Sequence, residues 1–539
     1  MNIHSDLQKK FFLQGTVILS IAGIVTKLLS AGYRIPFQNI VGDIGFYIYQ
    51  QIYPFYGVFL TLSTYGYPVI ISKLLIISFE QQDYKRVKKV VVVSFLSLFV
   101  AGIIFCSVLY FFANRIASIM GDPELTILIK VIAFSFLLMP FISVLRGYFQ
   151  GQKNMVPTAV SQMVEQFIRV ITILVFSILL VSHGYGMYAT GAGALFGSIT
   201  GGLTAIVILI IYYKQNNLLH TERPLIFNKK ENAEIIRVLF IQGGLICISG
   251  MILILVQLVD SFTLYSLLIS SGMGDVIAKG AKGVYDRGWP LIQLGTVVST
   301  SISLSLIPII SSAYIRHNIQ SIKEKVNLSI RISIVAGVGA SVGLAFIIEP
   351  TNIMLFQNNQ GTDVLRIQGF TILFSSLILT TSSIFQGMNN YMIPAISVVV
   401  ALILKGLLNV LLVPILGTKG AAFATIISLL ITVLFQYYIL YKKFRGSICR
   451  IKDVVTIIEA AIVMGIGLYV YIQFTNLLMV FINNRLFSAL QAITAVMIGI
   501  ILFLFVIIKR QVFTQSELSI IPYGNKLAYF NRANKKLGD

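Results

Sequence analysis

Long apolar blocks separated by short polar stretches run along almost the whole chain. Each block is long enough to cross a hydrocarbon layer about 30 Å thick as an α-helix. A transmembrane barrel would instead show segments of about ten residues with alternating polarity, a pattern that the chain lacks. The blocks predict about fourteen membrane-spanning helices, at 13–40, 46–78, 90–112, 125–150, 156–181, 185–213, 237–269, 280–313, 328–349, 365–388, 393–416, 418–441, 454–474 and 486–508.

The composition supports the same class of protein. Hydrophobic residues make up 57% of the chain and charged residues only 11%, whereas soluble domains carry about 25% charged residues. Cys106, Cys247 and Cys449 are far apart, and their spacing fits neither a metal site nor a disulfide framework. The short polar N-terminus is not followed by a cleavage signature, which favours a retained first helix. The chain is therefore predicted to be an all-α integral membrane protein.

The positive charges fall mainly on one side of the predicted spans. If the N-terminus is cytoplasmic, about 28 of the 41 Lys and Arg residues lie in or beside inside loops. The clear outside loops contain Arg115, Lys419 and Arg485. This bias predicts a multi-pass protein of the plasma membrane with both termini in the cytoplasm. The net charge of +21 is then a topology signal that attracts anionic lipids, not a sign of nucleic-acid binding.

The chain also contains an internal repeat. Phe149-Gln150-Gly151, followed by Pro157, opens the fifth span, and Phe385-Gln386-Gly387, followed by Pro394, opens the eleventh. The period of about 230 to 237 residues corresponds to six helices, an even number, so the repeat is predicted to be parallel. We predict a first lobe, a cytoplasmic amphipathic linker, a second lobe, an added helix pair and a basic cytoplasmic tail, at 1–213, 214–236, 237–445, 446–510 and 511–539.

Basic side chains inside the spans indicate a hydrated cavity. A charge at the bilayer centre costs about 2.5–3.5 kcal/mol on insertion scales, so it is tolerated mainly where it faces protein or water. Lys27 and Arg34 are seven residues apart and share one helix face. The candidate residues of a cationic substrate cavity are Lys27, Arg34, Lys73, Lys279, Lys282 and Arg287. Alternatives stay open for Lys73, which could snorkel to the cytoplasm, for Arg34, which could snorkel outward, and for both span-eight lysines, which could lie among outer headgroups. A basic lining favours an anionic substrate.

A second group of charges could pair or bind an ion. Glu165 and Arg169 lie at i and i+4 in the fifth span, which favours a structural ion pair. Lys405 lies within one residue of the repeat equivalent of Arg169. Asp260 stands alone near the middle of the seventh span, where it could bind a coupling cation or proton, or neutralise a basic residue across the lobes. Asp286 could partner its neighbour in sequence, although adjacent helix residues point apart.

Several motifs carry a resemblance to a known family. The Arg34-Ile-Pro36 stretch, the Leu60-Thr-Leu-Ser-Thr64 run and the two Phe-Gln-Gly segments resemble the polysaccharide-transport branch of the MOP superfamily. Within it, the chain looks like the stage V sporulation protein B and MurJ groups, over essentially its whole length. The resemblance implies a flippase that moves an undecaprenyl-pyrophosphate-linked glycan, lipid II or a related lipid-linked oligosaccharide, to the outer leaflet by alternating access. Such a protein would serve peptidoglycan or envelope polysaccharide synthesis.

The same resemblance implies where the substrate binds. A cationic cavity would take the pyrophosphate, and the last two helices would hold the polyprenyl tail. The basic residues of the MurJ pattern fall on Lys27, Arg34 and Arg287, and its acidic residue after the first helix falls on Asp43. MurJ proteins also carry Arg in the second helix, where this chain has Tyr53-Pro54-Phe55-Tyr56, so the cargo stays open. The candidates for gating or ion coupling are Asp43, Glu165, Arg169, Asp260, Asp286 and Lys405.

Other functions fit the sequence less well. The chain shows no Ser/His/Asp constellation, no Walker-type loop and no carboxylate pair at metal spacing, so we do not expect an enzyme. No cofactor is expected beyond Na⁺, H⁺ or the membrane potential as the driving force, and cell-wall synthesis proteins could be partners. The rival function is a MATE-like multidrug or cation antiporter of the same superfamily, for which twelve spans and an acidic cavity would be expected.

Overall fold

A computed structural model describes residues 18–19, 21–215, 228–316, 319–444, 446, 449–477, 484–514 and 517. Within these ranges the chain is helical and contains no strand. The first helices are α1 (21–32), α2 (Arg34–Thr61), α3 (Tyr67–Glu80), α4 (Tyr84–Phe111), α5 (Ala113–Ile119), α6 (Thr126–Ala133), α7 (Met139–Gly151), α8 (Val156–Ser182), α9 (Met187–Gln215), α10 (Lys229–Arg237) and α11 (Gly243–Gly250).

The later helices complete the fold. They are α12 (Ile252–Ser270), α13 (Asp275–Asp286), α14 (Gly288–Gly295), α15 (Val297–Ile315), α16 (Ile319–Phe356), α17 (Thr362–Gly369), α18 (Thr371–Gly387), α19 (Met392–Leu416), α20 (Thr418–Phe444), α21 (Ile451–Asn476) and α22 (Asn484–Lys509). Short π-helical turns at Leu62–Gly66 and Val238–Gln242 join α2 to α3 and α10 to α11. Two 3-10 turns flank α6, at Pro123–Leu125 and Phe134–Leu137.

The helices confirm the predicted fold class. Among the described residues, 13 helices are long and apolar enough to cross a membrane. The first two predicted spans form one helical run, Ile21–Glu80, and the seventh is divided in two at Met251, so these two differences cancel in the count. The eighth predicted span, made of α13, α14 and α15, is not among the 13. Large apolar side chains such as Phe111 and Ile415 are 78% exposed, as expected for surfaces that face lipid.

A glycine divides the long first run into two crossings. At about 1.5 Å per residue, the 60 residues of Ile21–Glu80 would span about 90 Å, three times the hydrocarbon thickness. The run is broken at Gly42, whose φ of 69° lies in the left-handed region that glycine tolerates. Asp43 follows directly and therefore opens the second crossing, next to the close approach of α13. A Cβ atom on Gly283 would lie only 2.1 Å from the Asp43 carbonyl oxygen.

The described chain forms two compact units. Unit 1 lies within Met1–Pro290 and Tyr391–Ala424, and unit 2 within Leu291–Asn390 and Thr425–Asp539. In unit 1, α2 packs against α8, α9, α12 and α13, and α12 packs against α19. In unit 2, α16 packs against α18, α21 and α22. The limits of these units follow packing and differ from those of the predicted lobes. The division into two repeated lobes stays a prediction.

The predicted linker and tail lie partly outside the described residues, at 216–227 and 518–539. The described end of the linker, α10, buries Ile235 and joins α4 through an ion pair between Glu231 and Lys89. All three cysteines are buried and none forms a disulfide with another described residue, as expected for packing residues. Cys449 precedes α21, and burial raises the pKa of its thiol, which keeps it protonated near neutral pH.

Candidate functional site: a buried tyrosine–arginine cluster

Arg34 lies against a tyrosine ring inside unit 1. It stands at the start of α2, and Tyr49, Tyr53 and Tyr56 follow on the same helix at spacings of four and three residues, which place them on one face. The guanidinium carbon of Arg34 lies 4.0 Å from the centre of the Tyr53 ring. The side chain is fully buried, and none of its three nitrogens has a hydrogen-bond partner among the described residues.

Arg169 reaches the same tyrosines from α8. Its guanidinium carbon lies 3.7 Å from the centre of the Tyr56 ring. Its Nη2 donates to the hydroxyl oxygens of Tyr33, at 3.1 Å, and Tyr49, at 2.9 Å. These two hydroxyl groups are themselves 2.8 Å apart. Arg169 is fully buried, and its Nε has no hydrogen-bond partner within the described part of the chain. We call these two arginines and the four tyrosines, Tyr33, Tyr49, Tyr53 and Tyr56, the tyrosine–arginine cluster.

The cluster holds two positive charges without a carboxylate. Neither arginine forms an ion pair in the parts of the chain that the structure describes. A desolvated cation–π contact contributes about 2 kcal/mol, whereas burying an ion costs several kcal/mol unless an opposite charge or hydrogen bonds compensate for it. The tyrosine faces therefore compensate only partly. An anion with several oxygen atoms would supply the missing acceptors, because guanidinium groups bind phosphate and carboxylate in two-point contacts.

Arg287, by contrast, is neutralised. Its Nη2 lies 2.6 and 2.7 Å from the two carboxylate oxygens of Asp43, and its Nε lies 3.0 Å from Oδ1. Gln38 also donates to this carboxylate, at 2.8 Å. The pair joins α13 to the residue that follows the Gly42 break. The structure thus brings together Asp43 and Arg287, both of which the sequence selected, as partners of each other.

The two lysines of α13 are also paired. Lys282 Nζ lies 2.6 and 2.7 Å from the oxygens of Asp286, one helical turn away, and both side chains are buried. Asp286 therefore pairs with Lys282 and not with its neighbour Arg287. Lys279 lies 3.1 Å from Asp275 and 3.8 Å from Asp122. The burial of Lys282 removes the alternative that it lies exposed among headgroups.

Asp260 neutralises a basic residue, but its partner lies in the same predicted lobe, 237–445, and not across the lobes. Its Oδ1 lies 2.8 Å from Lys405 Nζ, and both side chains are fully buried. Asn409 donates to the same oxygen at 3.0 Å, and the Tyr285 hydroxyl donates to Oδ2 at 2.7 Å. Lys405 also donates to the carbonyl oxygen of Ala421, at 2.7 Å. In the described chain, no group of three His, Cys, Asp or Glu residues could hold a metal ion.

The predicted ion pair between Glu165 and Arg169 is not formed. Glu165 instead lies 2.7 Å from Nη2 of Arg146, on α7, and both side chains are buried. Arg146 also donates to Ser161, at 3.1 Å, and to Thr64, at 2.8 Å. Arg169 is turned away toward the tyrosines. Glu165 pairs with Arg146 because this arginine gives the buried carboxylate a close charge-assisted hydrogen bond.

The remaining two candidates lie outside the cluster. Lys27 is half-buried on α1. Lys73 is exposed on α3, and its Nζ lies 3.5 Å from the hydroxyl oxygen of Tyr391. Its exposure fits the predicted alternative of a side chain that reaches the membrane surface.

Sequence reasoning missed Arg146 and the four tyrosines. Arg146 lies close to the end of a predicted span and was counted as a cytoplasmic charge, but it is fully buried in α7. The signal for the tyrosines is their spacing at 49, 53 and 56, together with the absence of Arg from the second span. Aromatic residues at helical spacing also occur in any packed core, so spacing alone does not identify a site.

Unit 2 contains an apolar pocket of about 720 Å³. Its walls come from α14, α15, α16, α18, α21 and α22, and include Gly343, Met464 and Phe503. The pocket touches both of the added C-terminal helices, where the resemblance places the polyprenyl tail. Its lining fits a hydrocarbon chain, because the contact surface is almost entirely apolar.

Solved structures share this fold. A lipid II flippase MurJ in an inward closed conformation superposes with a TM-score of 0.66, covering 91% of this chain and 98% of that chain at 17% identity. An inward-facing multidrug resistance MATE family transporter of the MOP superfamily gives 0.64, covering 80% of this chain and 98% of that chain at 15% identity. The chain thus has the fold that these two membrane proteins share.

Comparison with known sequences identifies the family of the chain. The chain belongs to the polysaccharide biosynthesis protein family, whose model matches residues 12–314. It is 40% identical over 536 residues to the uncharacterized membrane protein YabM of Bacillus subtilis, covering 99% of both chains. The lipid II flippase MurJ of the same organism is 26% identical, over 90% of this chain and 93% of that protein. The stage V sporulation protein B of Bacillus subtilis is also 26% identical, over 85% and 89%.

Proposed function

We propose that the protein is a flippase that moves an undecaprenyl-pyrophosphate-linked glycan precursor from the inner to the outer leaflet by alternating access. The observation that carries the proposal is the tyrosine–arginine cluster. It buries Arg34 and Arg169 without carboxylate partners, while the neighbouring Arg287, Lys282 and Lys405 are neutralised. A pyrophosphate, with charge and oxygen atoms on two phosphorus centres, matches two guanidinium groups.

The rest of the molecule supports a lipid-linked cargo. The apolar pocket of unit 2 offers a surface for a polyprenyl chain, and two relatives are named as a lipid II flippase and a sporulation protein. Transport, not catalysis, is the activity that we propose, with Na⁺, H⁺, the membrane potential or the substrate gradient as driving force. Cell-wall synthesis proteins are the proposed partners, and the plasma membrane, with both termini cytoplasmic, is the proposed location.

Purified protein in vesicles that contain a lipid-linked oligosaccharide tests the activity directly. A membrane-impermeant enzyme added outside cleaves only outward-facing headgroups, so the cleaved fraction reports flipping. We expect Arg34→Ala to lower the rate roughly tenfold to hundredfold, because a charge-assisted hydrogen bond contributes about 1.5–3 kcal/mol. Arg34→Lys should lower the flipping rate less than Arg34→Ala does if the phosphate is held mainly by point charge. Arg115→Ala, which removes an exposed arginine on α5, is the matched control and should flip normally.

The rival activity is drug or cation antiport. It is favoured by the fold shared with MATE transporters, although those structures cover 80% of this chain against 91% for the MurJ structure. Depletion of the protein in cells separates the two. Normal outward exposure of every lipid-linked precursor, together with impaired drug efflux, would refute the flippase proposal.

A further inference from the structure

Oxygen atoms hold the ammonium group of Lys405 in the interior of unit 1. Nζ lies 2.8 Å from Asp260 Oδ1 and 2.7 Å from the carbonyl oxygen of Ala421. The lysine and aspartate side chains are both fully buried. The three groups come from α12, α19 and α20, so the ammonium lies where these helices meet. A buried ammonium is stable only where acceptors replace its hydration shell.

Asn409 extends the polar surroundings of the Asp260 carboxylate. Asn409 lies one turn after Lys405 on α19, and its Nδ2 donates to Asp260 at 3.0 Å and to the Thr263 hydroxyl at 2.8 Å. Its Oδ1 is buried and has no hydrogen-bond partner among the described residues. A carboxylate and a main-chain carbonyl thus contact the ammonium directly, and Asn409 links that carboxylate to the Thr263 hydroxyl. Hard cations take such all-oxygen sets of ligands, and carriers bind coupling ions through carboxylates and main-chain carbonyls.

We infer that Lys405 is a tethered cation that takes the position of a coupling metal ion, so that Na⁺ does not bind at Asp260 in this protein. The carboxylate carries one negative charge, and the ammonium already neutralises it. A second cation at contact distance would be repelled strongly, because the surroundings are buried and screen charge poorly. The residues present therefore do not fit a metal ion. Since Lys405 is covalently attached, an Na⁺ gradient has no site here through which to act.

Thermal unfolding of the purified full-length protein in detergent tests this inference without a transport measurement. The apparent melting temperature is compared in sodium chloride, ammonium chloride and choline chloride at equal ionic strength. We expect the same value for the wild type in all three salts. Lys405→Ala should melt lower in choline, because it leaves a buried carboxylate unpaired. Sodium or ammonium should restore roughly half or more of that loss by binding to the folded state.

Two further variants act as controls. Lys405→Ala combined with Asp260→Asn removes both charges and should show no recovery with sodium or ammonium. Lys73→Ala removes an exposed lysine of the same unit and should behave as the wild type. Lys405→Met keeps most of the apolar stem and replaces Lys405→Ala if that variant does not fold.

Two results would overturn the inference. One is a wild-type protein that sodium stabilises over choline, with the effect lost in Asp260→Asn, since a metal ion would then bind beside Lys405. The other is a folded Lys405→Ala or Lys405→Met variant that neither sodium nor ammonium stabilises. Because no cargo is present, either result leaves the proposed flippase activity standing, and a failure of that activity leaves these measurements unchanged.

Discussion

Buried basic residues in this protein fall into two kinds. Arg287, Lys282 and Lys405 each have a carboxylate partner, whereas Arg34 and Arg169 lie on tyrosine faces. An ion pair in a low-dielectric interior is satisfied and gains little from an incoming anion. All three guanidinium nitrogens of Arg34, and Nε of Arg169, have no hydrogen-bond partner among the described residues. These donors could serve an incoming anion. We therefore expect the capacity to bind an anion to lie in the tyrosine–arginine cluster.

Replacement by lysine is expected to lower flipping more at Arg169 than at Arg34. A lysine at position 169 would lose the planar contact with Tyr56 and could not reproduce the hydrogen bonds of Nη2 to Tyr33 and Tyr49. We expect Arg169→Lys to lower flipping roughly tenfold or more in the vesicle assay, as one charge-assisted hydrogen bond accounts for about 1.5–3 kcal/mol. Normal flipping by Arg169→Lys, at a normal level of inserted protein, would exclude Arg169 from the site.

Glu165 is expected to matter for stability. Glu165→Gln leaves Arg146 buried without its carboxylate, and breaking a buried pair costs about 3–5 kcal/mol. The apparent melting temperature in detergent should therefore fall clearly. A variant that also carries Arg146→Met removes both charges and should recover part of the loss. If Glu165→Gln melts like the wild type, the pair does not stabilise the fold.

The sequence predicted the partners of single charged residues less well than it predicted the membrane spans. Glu165 and Arg169 are one turn apart, but α7 supplies a fixed partner, Arg146, that sequence distance cannot reveal. Asp260 and Lys405 were both selected, and their pairing needed the packing of α12 on α19. The tyrosines were not selected because apolar packing and aromatic binding surfaces share the same helical period.

At the scale of elements, the approach of α13 to α2 fixes the pair of Asp43 and Arg287. The left-handed Gly42 places Asp43 at the start of a crossing, and Gly283 allows α13 to touch the main chain there. The Gly-rich character of α13 was visible in the sequence. Which of its glycines makes a contact was not, because that depends on the rotation of the helix.

Gly283→Ala is expected to separate these helices. Its Cβ would meet the Asp43 carbonyl oxygen at 2.1 Å, so the main chain must shift and strain the pair of Asp43 and Arg287. Overpacking of this kind costs about 1–3 kcal/mol. The apparent melting temperature should fall in Gly283→Ala. It should hold or rise in Gly280→Ala, because this glycine of the same helix has open space around it and alanine favours helix. Equal melting temperatures would argue against the close approach.

At the scale of the whole molecule, hydropathy predicted nearly every crossing, because the cost of burying polar groups in lipid leaves few alternatives. The first two spans merged into one run because a single glycine, without a polar loop, makes the break. The limits of the two compact units could not be predicted from the sequence repeat. Packing groups α12, α13 and α19 with the first helices, whereas the repeat follows chain order.

The apolar pocket of unit 2 is expected to select for long lipid chains. Gly343 lines it, and a Cβ atom at this position would lie 3.9 Å from its nearest neighbours, two atoms of Met464, so leucine fits and fills the space. Gly343→Leu should slow the flipping of an undecaprenyl-linked substrate more than that of a short-chain analogue. Gly244→Leu, at an open position in unit 1, is the control. Equal slowing of both substrates would mean that the pocket does not hold the tail.

The orientation of the chain can be tested with its own chemistry. The three native cysteines are buried, so single introduced cysteines report their own surroundings. A membrane-impermeant thiol reagent added to intact cells should label Arg115→Cys and spare Lys85→Cys until the membrane is opened, since both side chains are exposed. The reverse pattern would place the N-terminus outside.

The π turn at Leu62–Gly66 has a consequence for comparing this protein with its relatives. It inserts one residue into the helix, and Arg146 holds it through Thr64. One extra residue rotates everything that follows by about 100°. The face of α3 that carries Lys73 is therefore rotated, relative to the tyrosine face of α2, from the position that it would have in a continuous α-helix. In a relative that lacks the turn, each residue of α3 would point in a different direction from the residue aligned with it here. A one-residue gap at this turn in a sequence alignment therefore decides which residues of α3 are structurally equivalent.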